Sequence, residues 1–221
     1  MATLLRDGDS DGFALECDDP ASGAALTELY FRLEEGRYVR RFPPGSVTDA
    51  IFARFEAALP SLLRQTARLE PAPWDDALHE TARRLDDAGV DWWLTGSSAL
   101  AVRGLAVSPR DLDLVVSEAD AARAATAFED ALIEPAVAVE EWFCRWWGRA
   151  WLGARVEWVG GVTEAADRPE PTDFGPVAAA ALSDVRWEGR AIRLPPLELQ
   201  RQVSARRGLS DRVRLIVTLG R

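Results

Sequence analysis

Two apolar runs separated by a polar turn dominate the middle of the chain: Trp92-Trp93-Leu94-Thr95 and Asp111-Leu112-Asp113-Leu114-Val115-Val116. Each is too short for a helix and rich enough in branched and aromatic residues to predict a strand. Between them Gly96-Ser97 opens a short helix, SSALAV. Upstream, Trp74, Leu78, Ala82 and Leu85 recur at helical spacing, and Gly89 is placed to end that helix. Downstream, Ser117 and Asp120 read as the cap of a helix from about Glu118 to Ile133, with Ala121, Ala125, Phe128 and Leu132 as its buried stripe. Leu152 to Trp158 alternates, with Leu152, Ala154, Val156 and Trp158 on one face and Arg155 and Glu157 on the other.

The ends of the chain are patterned differently. Residues 1 to about 45 suggest two or three strands, with Glu35-Gly36 as a hairpin turn. Thr48-Asp49 resembles a helix start, and Ile51, Phe55, Ala58 and Leu62 keep helical period. Pro60 is expected to break that helix or open a second one. Glu70-Pro71-Ala72-Pro73 reads as a linker, so residues 1–72 form a small N-terminal addition and 73–221 the main unit. After an acidic, proline-rich loop at 162–176, a hairpin turns at Glu188-Gly189. Two helices follow, Leu197 to Arg206 and Ser210 to Leu219, separated by Gly208. Strands and helices alternate without repeats, which predicts an α+β fold: a mixed β-sheet flanked by helices.

Composition narrows the function. The chain has 221 residues and a net charge of −10, which argues against a general nucleic-acid binder. Every one of its 26 basic residues is arginine. A phosphate must therefore be held by guanidinium groups or backbone N–H groups. Nine arginines from Val185 onward face only Glu188, Glu198 and Asp211, a run that reads as a solvated surface or as an anion-binding face. No apolar run approaches a membrane span and MATLLRDGDSDG is too polar for a secretory signal, so a cytoplasmic location is expected. Cys17 and Cys144 lack zinc-ligand spacing and are expected to be reduced. His79 lies opposite the apolar stripe of its helix, beside Asp75 and Arg83, as a solvent-facing residue. Trp142, Trp146, Trp147 and Trp151 read as core and hairpin residues, with a wall for a stacked base as the second reading.

The candidate chemistry sits on the two central strands. Asp111 and Asp113 flank Leu112, so a strand points both carboxylates to one face, where a cation makes the pair tolerable. Glu157 projects from the polar side of another strand, and if the strands are neighbours the three acids converge. Magnesium favours such oxygen ligands and leaves positions open for phosphate. Gly96 and Ser97 then supply a close backbone approach and N–H groups for an anion.

This combination resembles the DNA polymerase beta-like nucleotidyltransferase superfamily: an apolar strand, Gly-Ser, thirteen residues, then an acid-apolar-acid strand. It looks most like the minimal bacterial branch, which includes antibiotic nucleotidyltransferases and the AbiEii-like type IV toxins of toxin–antitoxin pairs. The resemblance covers roughly residues 75 to 216. It implies a nucleotidyltransferase fold with C-terminal helices, and transfer of an NMP from an NTP such as ATP to a hydroxyl or phosphate. The acceptor, left open, is a small molecule, a tRNA or a protein. It further implies Asp111, Asp113 and Glu157 as catalytic and metal-binding acids for Mg2+ or Mn2+. Gly96 and Ser97 would contact the triphosphate, with Arg103, Arg110 and Arg206 offsetting its charge. The segment PPLELQRQVSARRGLSDRV is similar to a family segment that carries a lysine, here replaced at or near Ser204; Arg201 or Arg206 is available instead. That departure keeps open an inactive nucleotide-binding or protein-interaction module on the same fold.

Overall fold

The computed structural model describes residues 2–140 and 142–219; Arg221, the last arginine of the C-terminal run, lies outside them. The N-terminal part forms an antiparallel sheet in the order β1-β2-β4-β3, made by β1 (Ala2–Asp7), β2 (Ser10–Leu15), β3 (Arg32–Glu34) and β4 (Arg37–Phe42). Helix α1 (Pro20–Glu28) interrupts it, a helix that the sequence pattern does not suggest. Its start is nevertheless encoded: Asp19 accepts from the Ser22 N–H at 2.8 Å and Pro20 occupies the first turn. Helix α2 (Asp49–Thr66) is capped by Thr48, which accepts from the Ile51 N–H at 3.2 Å. Pro60 neither breaks nor restarts this helix, because Ile51, Phe55, Ala58 and Leu62 bury one unbroken face. Tertiary burial outweighs the hydrogen bond that proline removes.

The main sheet has the order β5-β6-β9-β8-β7. After α3 (Trp74–Asp87) come β5 (Trp92–Thr95), α4 (Gly96–Val102), β6 (Asp111–Val116), α5 (Ala121–Ala127), β7 (Leu132–Ala138), β8 (Trp146–Trp151) and β9 (Arg155–Gly160). Only β6 and β9 pair in parallel; the other neighbours run antiparallel, so the sheet is mixed and the fold α+β. The helix expected to reach Ile133 stops at Ala127, after a 3-10 turn at Glu118–Asp120. Leu132 and Ile133 belong instead to β7, whose partner strand and α2 offer them deeper burial than another helical turn would. A short helix α6 (Pro176–Ala179) and the hairpin β10 (Ser183–Trp187) and β11 (Arg190–Leu194) lead to α7 (Leu197–Arg206) and α8 (Ser210–Leu219).

One apolar core runs through the linker at 70–73. Phe13 stacks on Phe55 at 4.3 Å, and that cluster continues without interruption into Leu78, Leu94, Leu112 and Trp158. Polar ties join the same parts: Arg54 donates to the Leu132 carbonyl at 2.8 Å, and Gln65 to the Gly153 carbonyl at 2.9 Å. Gly148, mid-strand in β8, faces the fully buried Trp158 across the sheet; a Cβ there would lie 2.5 Å from the indole. A smaller cluster of Leu100, Leu105 and Ile216 seats α8 against α4. No helix among the described residues is long and apolar enough to cross a membrane. Cys17 and Cys144 are free thiols, and burial pushes the Cys144 thiol up to about 12.

Candidate functional site

Period-2 alternation on β6 and β9, combined with their register, assembles the acids. Asp113 lies opposite Glu157, and Asp111 opposite Arg155. On the other side Thr95, the last residue of β5, pairs with Asp113, so the Gly96 turn starts beside that carboxylate. Gly96 has φ +67°, and a Cβ there would overlap Asp113 Oδ2 and lie 3.1 Å from its Cγ. Both the backbone angle and the space demand glycine. Gly96→Ala is expected to destabilise the fold by about 1–3 kcal/mol. It would displace Asp113 and lower any activity of the site about 100-fold; melting and turnover measured on one preparation check both.

These residues open onto a cavity of ≈ 510 Å³. Asp111, Asp113, Glu157, Gly96, Ser97 and Arg110 all line it. Arg103 and Arg206 do not. Arg103 donates to the Pro195 carbonyl at 2.6 Å, and burial lowers its pKa. Arg206 binds Glu170 at 2.8 Å, and Arg201 binds Glu198 at 2.7 Å. Arg110, though at the cavity wall, is held by Glu28 at 2.5 Å and the Thr66 carbonyl at 2.7 Å. Ser204, near the place of the family lysine, is buried and lines the cavity.

The three acids differ sharply in environment. Glu157 is engaged: Arg149 donates to its Oε1 from both Nε, at 2.8 Å, and Nη2, and Arg155 Nε is 3.6 Å away. Burial alone would raise its pKa, but Arg149 and Arg155 overcome that and hold it down at about 2. Asp111 Oδ2 accepts from Arg155 Nη2. Burial would weaken the Arg155 proton, yet Glu157 and Asp111 keep that guanidinium firmly charged. Arg149 is completely buried, joins Glu134 to Glu157, and lies over the Trp147 ring at 4.9 Å.

Asp113 is the exception. Among the described residues nothing donates a hydrogen bond to it, and the charges that act on it include Asp111, Glu157 and Asp173, opposed by Arg155. Burial, then the Asp111 and Glu157 charges, push its pKa well above the usual carboxylate range. A desolvated acid among acids is a place for a cation or a proton. Among the described residues no three His, Cys, Asp or Glu side chains stand ready as a metal cage. The donor set still suits magnesium, which binds through one or two carboxylates and takes its other oxygens from water and phosphate. Asp113 and the free oxygen of Asp111 meet that need, whereas Glu157 is committed to arginine.

Several lining residues carry no sequence signal. Asp173 comes from the 162–176 loop, which Asp167 ties down by accepting from the Thr172 and Val177 N–H groups at 2.7 and 2.8 Å. Thr95 donates to the Asp173 carbonyl at 2.8 Å, and burial raises the Asp173 pKa. Phe143 joins Trp142, at 4.3 Å between rings, to Phe174, at 5.2 Å, along one wall. Trp142 and Trp147 line the cavity and Trp146 and Trp151 do not. Tyr30 reaches the cavity from the N-terminal part with a left-handed backbone, φ 67°. Burial and the Glu157 charge raise its phenol pKa. His79 is remote from the cavity and pairs with Glu188 at 2.5 Å.

The fold is similar to solved nucleotidyltransferase structures. A Thermotoga maritima protein assigned as a nucleotidyltransferase aligns over 64% of this chain and 89% of its own, with 21% identity and a TM-score of 0.48. ANT(2")-Ia in complex with adenylyl-2"-tobramycin aligns over 64% and 86%, with 13% identity and a TM-score of 0.46. The solution structure of that antibiotic-resistance factor aligns over 64% and 80%, with 12% identity and a TM-score of 0.45. No protein-family model matches the chain, and no curated protein does.

Proposed function

We propose that this protein is a metal-dependent nucleotidyltransferase that moves an NMP from an NTP to a hydroxyl or phosphate of an acceptor. The observation that carries the reading is Asp113: a carboxylate without a hydrogen-bond partner among the described residues, flanked by Asp111 on its strand and pressed against the Gly96 turn. Asp111 and Asp113 would hold Mg2+ or Mn2+, which supplies charge neutralisation at the phosphates when bound. The Gly96 turn and Ser97 lie at the same mouth, where backbone N–H groups and a hydroxyl meet phosphate oxygens.

In the reaction an acceptor oxygen forms a bond to the alpha phosphorus, the bond to the bridging oxygen breaks, and pyrophosphate leaves with that electron pair. The acceptor proton needs a carboxylate poised above the usual range. Glu157, at about 2 and held by two arginines, is poorly suited; its role is to fix Arg149 and Arg155 behind the site. Asp173 is buried, has a raised pKa and lines the same cavity, so it is assigned as the proton acceptor. The Trp142, Phe143 and Phe174 wall offers a planar surface for the base. Small molecules, a tRNA end and protein hydroxyls all remain within the acceptor class, and a cytoplasmic site of action belongs to the same proposal.

Asp111→Asn is expected to lower pyrophosphate release from an NTP by about 100- to 1000-fold. Unchanged release in this variant would sink the assignment. One observation favours a second reading, a nucleotide-binding module without turnover: Arg155 already neutralises Asp111 and touches Glu157. Calorimetry showing magnesium-dependent NTP binding, with no pyrophosphate released across a wide acceptor panel, would select it.

A further inference from the structure

In the same cavity as the acids stand three arginines with no assigned role. Arg68 follows α2, Arg207 ends α7, and Arg212 is in the first turn of α8; all three line the cavity. Their neighbours Arg110 and Arg155 are tied into ion pairs, but among the described residues no carboxylate or carbonyl accepts from Arg68, Arg207 or Arg212. Arg212 is half-buried and close enough to Arg207 and Arg68 to feel both charges, and more distantly those of Asp113 and Asp111; burial and the two arginines prevail and lower its pKa. Gathering three like charges that form no ion pair among the described residues is unfavourable, and Asp111, Asp113 and Asp173 offset it only at longer range. A bound anion removes that cost.

Two further features show what kind of anion. Arg68 adopts φ 60° just past a helix end, where glycine is the usual residue, so the chain keeps a guanidinium at a conformational cost. Gln200 is 2% exposed, donates from Nε2 to the Gly96 carbonyl at 3.1 Å, and leaves its buried Oε1 without a partner at the cavity wall. That orphaned acceptor calls for a donor on the ligand, which a bare phosphate lacks and a nucleotide's sugar hydroxyl supplies.

We propose that Arg68, Arg207 and Arg212 form a polyphosphate anchor in the cavity that the acids line, taking the outer phosphates of a nucleoside triphosphate while Gln200 accepts from its sugar. The site is built from both parts of the chain, Arg68 coming from the N-terminal addition. The proposal rests on the nucleotide-transfer reading for its ligand, but its arginine half stands on its own test. A confined cavity of ≈ 510 Å³ in a chain of net charge −10 fits a small polyanion rather than a nucleic-acid backbone.

The test is calorimetry on the full chain with inorganic tripolyphosphate in EDTA, and with a non-hydrolysable ATP analogue plus magnesium. Arg68→Gln, Arg207→Gln and Arg212→Gln should each weaken tripolyphosphate binding by about tenfold, with melting curves little changed because none of the three side chains makes a hydrogen bond or ion pair among the described residues. Wild-type binding should weaken steeply with added salt. Gln200→Leu should weaken the analogue and leave tripolyphosphate unaffected. Wild-type protein that fails to bind tripolyphosphate in the millimolar range, or Arg207→Gln and Arg212→Gln variants that bind it normally, overturns the anchor. Equal analogue affinity in Gln200→Leu and wild type overturns the sugar contact. The Asp111→Asn/Asp113→Asn variant separates the two levels: it should keep tripolyphosphate binding in EDTA, so transfer surviving in it would defeat the transfer reading without touching the anchor.

Discussion

Arg149→Met is expected to cost about 3–5 kcal/mol of stability, a large share of the total for a domain of this size. The guanidinium is 0% exposed and bridges Glu134, also 0% exposed, to Glu157. Methionine fills a similar volume but takes the closest cation from both carboxylates, leaving Glu134 only Arg40 at 3.3 Å and Glu157 only Arg155 at 3.6 Å. The midpoint of thermal unfolding should fall by roughly 6–20 °C at neutral pH. The pH dependence gives a second check. Glu157 is held at about 2 in the folded protein against an ordinary 4.5, so its contribution is present above 4.5 and disappears as the pH falls towards 2. The variant lacks the Arg149 share of that contribution at any pH while keeping those of Arg155 and Arg40, and its deficit should therefore shrink through this acid window. Denaturant titrations at neutral pH and in the window measure it. A variant as stable as wild type at neutral pH would mean that water or rearranged arginines replace the bridge.

Asp113→Asn should do the opposite to stability while abolishing function. Removing a desolvated charge from beside Asp111 and Glu157 is expected to stabilise the metal-free protein by about 1–3 kcal/mol. Its midpoint would rise by roughly 2–10 °C. The sign follows from the raised pKa: the folded state prefers the protonated acid, so that preference is fully expressed below the ordinary 3.8 and lost as the pH rises through the raised value. The gain from asparagine should thus be largest at neutral and alkaline pH and vanish in acid. Magnesium and a non-hydrolysable NTP should then raise the midpoint of wild type much more than that of the variant, because binding to the native state is what supplies the shift. Transfer should fall by about 1000-fold. Destabilisation in EDTA at neutral pH, or an equal ligand shift in both proteins, would refute the role given to Asp113. The combination of a gain in stability with a loss of function is the signature of a residue kept for chemistry at the expense of the fold.

Local pattern carried a good deal. The two-residue spacing of Asp111 and Asp113 puts both carboxylates on one face of β6 through strand geometry alone, and the alternation around Val156 puts Glu157 on the polar face of β9. Gly96, Gly89 and Gly208 announce a tight turn and two helix ends, and the α7 and α8 boundaries follow from Pro196 and Gly208. The linker proline pattern at 70–73 is equally visible, although the hydrophobic core passes straight through it.

What the order of residues could not decide is partnership across the chain. Whether Pro60 ends a helix depends on the face that α2 buries, and whether Leu132 and Ile133 continue a helix depends on β8 lying alongside them. The same holds at the site. The parallel pairing of β6 with β9 sets Arg155 against Asp111, and antiparallel β8 brings Arg149 to Glu157. Without those pairings the three acids look equivalent; with them one is left unpaired. In a chain without lysine, composition showed that guanidinium or backbone N–H groups must meet any phosphate. Only the tertiary structure decided which ones are free to do so, because Arg103, Arg110 and Arg206 find partners close in space but distant in sequence, and among the described residues Arg68, Arg207 and Arg212 do not.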